Sequence, residues 1–126
     1  MSNELIGARV LRKEDNRFVS GKGRYTDDIN LAGQTYACFV RSPHAHANIK
    51  GFHTSAAENA PGVVAVLTGL QVLEDGLGGL PCGWMLHSKD GSEMKQPMHP
   101  IMAGEKGNYA GEPVAVVIAD TYEQAR

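Results

Sequence analysis

Two apolar runs constrain the fold of this chain more than any other feature: Val63 to Thr68 (VVAVLT) and Pro113 to Ala119 (PVAVVIA). Both are rich in β-branched residues, whose stiff side chains fit a pleated surface better than a helix. Neither alternates with polar residues, and a short continuous apolar run of this kind reads as a strand buried on both faces. A third segment, Thr35 to Arg41 (TYACFVR), is also dominated by β-formers, and Pro43 ends its pairing. From Ala45 to His53 the residues alternate. Ala45, Ala47, Ile49 and Gly51 share one face, and His44, His46, Asn48, Lys50 and Phe52 share the other, which predicts a further strand.

Helical signals lie between these strands. Lys13 to Val19 reads as a short helix or turn stopped by Gly21, and Asn3 to Val10 as a short extended lead-in. Ser55 and Glu58 have capping-box spacing ahead of a helix of about two turns that Pro61-Gly62 ends. Gly69 to Glu74 forms another short helix, and Asp120 and Glu123 open one at Thr121. Lys106 to Gly111 is a further strand candidate. The order strand, helix, strand over residues 45–68 fits either a βαβ-like unit or an antiparallel α+β arrangement. The expected class is α+β: a small mixed sheet with short helices, one layer of helix on sheet, in a single domain over residues 1–126. Between Asp75 and Gly104 runs a long irregular segment. Its apolar members Trp84, Met85, Leu86, Met94, Met98, Ile101 and Met102 are too many for a solvated linker, so this segment packs on something.

Composition excludes several roles. The net charge is −2 and no basic stripe is present, so nothing draws a phosphate backbone in. The run from Val114 to Ala119 is far too short to span a bilayer. Residues 1–12 lack a basic segment followed by an apolar one, and Cys38 and Cys82 form neither a CxxC pair nor a disulfide framework, so a cytoplasmic location is expected.

Candidate chemistry is sparse. His44 and His46, in R-S-P-H-A-H-A from Arg41, have spacing that suits a metal, but a zinc site needs three or four converging ligands. Cys38 belongs to another strand and His53 has the opposite parity, which favours a polar strand face. G-K-G-R-Y-T-D-D, from Gly21 to Asp28, lacks the third glycine of a dinucleotide fingerprint and the Lys-Ser/Thr of a P-loop, so it reads as a tight turn. Asp27 and Asp28, neighbours on one segment, read as a turn or cap. Glu112 enters an apolar strand alone and reads as a hydrogen-bonded structural carboxylate rather than a buried base. Cys82 has no adjacent base. No residue is assigned a catalytic, cofactor-binding or metal-binding role.

Taken in order, R-K-E-D-N-R-F-V-S-G-K-G-R-Y-T-D-D (Arg12 to Asp28), R-S-P-H-A-H-A (from Arg41), A-P-G-V-V-A-V-L-T-G (Ala60 to Gly69) and G-E-P-V-A-V-V-I-A (Gly111 to Ala119) resemble one family. It is the molybdenum-binding large subunit of xanthine dehydrogenase, aldehyde oxidase and aerobic carbon monoxide dehydrogenase, in its N-terminal α/β-hammerhead domain. The resemblance implies a structural fragment, inactive alone and binding no cofactor, of a molybdenum-dependent oxidoreductase. It implies that the molybdopterin, as cytosine dinucleotide, sits in downstream domains of the same subunit, and that 2Fe-2S clusters and FAD sit on partner subunits or domains. It further implies that Arg41, His44, His46 and Glu112 make hydrogen bonds where this domain meets the cofactor-bearing one. This chain departs from the family pattern at His53 and at Gly107-Asn108, and the second departure is expected to weaken the strand before Tyr109. The alternatives are a stand-alone binding or scaffold module and a small histidine-based metal-binding protein.

Overall fold

A computed structural model describes residues 7–126. The expected lead-in from Asn3 lies partly outside the described residues. The chain divides into two compact units, Met1–Ala32 and Gly33–Arg126. The first holds helix α1 (Asp15–Val19) and a 3-10 turn, Thr26–Asp28. Gly21 follows α1 with φ 70°, which suits the glycine stop anticipated there. Asp28 accepts a hydrogen bond from the Tyr25 amide at 2.8 Å, so Asp28 acts as a cap, and Asp27 lies within the same turn. The Phe18 and Tyr25 rings stack at 5.7 Å between centroids.

The second unit carries strands β1 (Tyr36–Arg41), β2 (Ala47–Asn48), β3 (Val63–Thr68), β4 (Lys106–Gly107) and β5 (Pro113–Ala119). Its helices are α2 (Ser55–Glu58), α3 (Gly69–Glu74) and α4 (Tyr122–Ala125). The main sheet has the order β1-β5-β3, and β2 pairs with β4 in a second sheet. The α+β class and short helices are as expected. The sheet expected to be mixed is antiparallel at each of these pairs, so the βαβ option over residues 45–68 is not taken.

Physical reasons account for the other differences. VVAVLT was expected to be buried on both faces; β3 is an edge strand with Val64 60% exposed, because a run of apolar residues does not say whether a strand is central. The alternating segment 45–53 pairs only at Ala47 and Asn48, since alanines and glycine on its apolar face bury little area. Lys106 to Gly111 likewise pairs over two residues. Helix α2 is a single turn and the Ser55–Glu58 box does not form; the Thr54 hydroxyl instead donates to Glu58 Oε1 at 2.6 Å. By contrast Thr68 and Gln71 make a full capping box on α3. Helix α4 starts one residue later than expected, with Thr121 as its cap.

The core is thin. Val72 of α3, Met102 and Val116 of β5 form its buried cluster, with Ile118 packed against them. No large side chain is less than 2% exposed among the described residues. The segment 75–104 is less irregular than anticipated: Leu80 bridges His99 and His87 bridges Glu93, both antiparallel, which folds it back on itself. At its tip the Ser92 hydroxyl and amide donate to Asp90 and hold that carboxyl below its usual range. Met102 is buried, whereas Trp84, Met85, Leu86, Met98 and Ile101 are exposed.

Candidate functional site

The β1–β5 pairing changes register between Val40 and Arg41, so Arg41 stands opposite Pro113. This irregularity brings the end of β1 against the turn that feeds β5. The Ser42 amide donates to the Glu112 carbonyl at 2.9 Å, and the Gly111 amide donates back to the Ser42 carbonyl at 2.7 Å. Arg41 Nη1 donates to the Gly111 carbonyl at 2.8 Å. Gly111 has φ 90°, a conformation that a side chain rarely adopts, and it sets the direction in which Glu112 leaves the turn.

Glu112 is only 2% exposed. Its Oε2 accepts from the Asn108 amide, the one hydrogen bond to its side chain among the described residues, and it makes no ion pair among them. Glu112 lines a hollow of about 380 Å³ together with Pro97, Met98, His99, Pro100, Asn108 and Tyr109. The His99 and Tyr109 rings lie 6.3 Å apart, tilted by 55°. His99 Nδ1 is 3.1 Å from the Pro100 carbonyl. A second hollow, about 430 Å³, shares Pro97, Met98 and His99 with the first and is lined also by Leu80, Cys82 and Met94.

Of the four residues expected at an interdomain contact, Arg41 and Glu112 are therefore brought to one junction. His44 joins it through its backbone, its amide donating to the buried Ser42 hydroxyl at 3.2 Å. His46 is exposed and lies just before β2. No group of three or more His, Cys, Asp or Glu side chains is placed to hold a metal among the described residues. Sequence reasoning passed over Ser42, His99, Asn108 and Tyr109. Ser42 stands between two flagged residues, but His99 arrives through the fold-back of a long loop, for which the sequence carries no local signal.

With this geometry in view the relatives can be placed. Residues 20–126 match the family described as aldehyde oxidase and xanthine dehydrogenase, a/b hammerhead domain. The chain is 40% identical over 121 residues to the nicotine 6-hydroxylase large subunit of Paenarthrobacter nicotinovorans, covering 96% of this chain and 14% of that protein. It is 38% identical over 121 residues to the carbon monoxide dehydrogenase large chain of Afipia carboxidovorans, covering 95% and 14%. Among solved structures, quinoline 2-oxidoreductase from Pseudomonas putida 86 superposes with a TM-score of 0.81 at 35% identity, covering 95% of this chain and 14% of that one. The chain belongs to the aldehyde oxidase and xanthine dehydrogenase a/b hammerhead family. It spans about one seventh of the length of the large subunits it matches, 14% in each of these cases.

Proposed function

We propose that this chain is the hammerhead domain of the large subunit of a molybdenum-dependent hydroxylase or dehydrogenase, and that it acts as a wall against which the molybdopterin-binding domains pack. One observation carries the reading. In a segment corresponding to a small part of its relatives, large apolar side chains face outward, with Trp84 74%, Met98 65% and Leu80 60% exposed. Isolated exposed leucines are ordinary, but an exposed apolar set on one folded-back loop marks a surface that another polypeptide covers.

The cofactor, as molybdopterin cytosine dinucleotide, is held by the rest of the large subunit. When bound there it supplies hydroxylation with water-derived oxygen, or oxidation of carbon monoxide. 2Fe-2S clusters and FAD on partner subunits or domains would supply the onward electron transfer. On its own this chain is not catalytic. Arg41, His44, His46 and Glu112 serve the contact with the cofactor-bearing domains. No helix is long and apolar enough to cross a membrane among the described residues, both cysteines are free, and the assembly works in the cytoplasm.

The test is elemental analysis of the native polypeptide that contains this segment, purified with its companion subunits. Molybdenum stoichiometric with a chain much longer than 126 residues is expected. A native polypeptide that works without molybdenum, or turnover by the 126-residue chain alone, would overturn the proposal.

A further inference from the structure

We infer that the hollow above Glu112 is a socket for one basic side chain, arginine or lysine, supplied by the large-subunit polypeptide outside residues 1–126. The inference rests on the proposed function and deepens it, because it names the chemistry of the group at the contact.

The argument begins with the cost of burying a charge. A carboxylate taken out of water is normally paired, multiply hydrogen-bonded or bound to a metal. Glu112 is 2% exposed, yet its carboxylate has a single hydrogen bond, from the Asn108 amide to Oε2. Oε1 accepts no hydrogen bond among the described residues, and Glu112 is one of the residues that line the hollow. Arg41, whose guanidinium donates to the neighbouring Gly111 carbonyl at 2.8 Å, makes no ion pair with Glu112 among the described residues. The hollow therefore has in its lining a carboxylate with one oxygen that accepts no hydrogen bond among the described residues.

Its walls select the shape of the donor. Pro97 and Pro100 are rigid, apolar and without amide hydrogens, and Tyr109 and His99 present ring surfaces tilted to each other by 55°. A guanidinium or the stem of a lysine packs on such rings while its N–H groups reach a carboxylate. The size also fits, since about 380 Å³ holds one long side chain and not a folded element. The occupant is assigned to the same subunit because the chain covers only 14% of its relatives' length, which leaves most of the polypeptide available to cover this face.

Hydrogen exchange on the full-length large subunit tests the socket, comparing wild type with Glu112→Gln. Glutamine keeps an oxygen for the Asn108 amide and removes the charge. Exchange should rise roughly tenfold or more in a segment outside residues 1–126 that contains an arginine or lysine, because breaking one side of a buried pair is strongly destabilising. Exchange at residues 106–112 should change far less. Acceleration confined to residues 33–126, or none anywhere, would overturn the socket while leaving the docking of the domain intact. If the wild-type loop 80–102 were as unprotected in the full-length subunit as in the isolated chain, the proposed function itself would fail. Should Glu112→Gln not fold, Glu112→Asp gives the second reading: folding and protection retained with the shorter carboxylate support the socket, and equal failure of both variants overturns it in favour of a purely steric role.

Discussion

Replacing Gly69 with valine should unfold residues 33–126 or lower their urea midpoint by about 2 M, from a cost of about 3 kcal/mol and a slope of roughly 1 to 2 kcal/mol per M. Gly69 is the first residue of α3. A Cβ built on it would lie 2.1 Å from the Ala103 carbonyl oxygen, 2.4 Å from the Ala103 carbonyl carbon and 2.8 Å from the Gly104 amide nitrogen. All three are backbone atoms, so no rotamer change relieves the clash. Gly104 faces the same seam, where an added Cβ would be 2.6 Å from Leu73 Cδ1 and 3.1 Å from the Gly69 carbonyl oxygen. The two glycines let α3 sit directly on the stretch that carries Met102 and Ala103, both at most 3% exposed. Pushing α3 away pulls Val72 from Met102 and Val116, which is most of the buried cluster. Gly69→Ala should fall between wild type and valine. A midpoint unchanged for valine would mean that this seam does not exist in solution.

Ala119→Asp should abolish the fold of the same unit. Ala119 is 0% exposed, and its backbone stands between Tyr36 of β1 and Val63 of β3 at the end of the central strand. An unpaired carboxylate there has no water and no cation, at a cost of several kcal/mol, comparable to the whole stability of a domain this size. The purified variant should show the circular dichroism of an unfolded chain and a low soluble yield. Ala119→Ser, which adds a hydroxyl and no charge, should be milder. A folded aspartate variant with wild-type dichroism would show that β5 is not the central strand.

These two sites mark what the sequence discloses and what it does not. The runs of β-forming residues announced β1, β3 and β5 because strand preference is local. Which strand is central is a long-range fact: β5 comes last and is inserted between β1 and β3, and nothing within PVAVVIA distinguishes it from VVAVLT. Gly69 was visible only as the start of a helix, since its close approach to Ala103 depends on where the loop returns. Arg41 and Glu112 could both be singled out, one by its motif and the other as a lone acid before an apolar run. That they share a junction follows from a register shift opposite Pro113, which no spacing along the chain encodes. The apolar richness of loop 75–104 was legible from its methionines and tryptophan, but its division into buried Met102 and exposed Trp84 and Met98 follows from the bridges that fold it.

The central claim is that the outward apolar face of this segment is an internal surface of a larger subunit. Hydroxyl-radical footprinting of Trp84 and Met98, read by mass spectrometry in the isolated chain and in the full-length large subunit, measures it directly. Both side chains, 74% and 65% exposed here, should react several-fold more slowly in the full-length subunit. Equal reactivity in the two would contradict the claim.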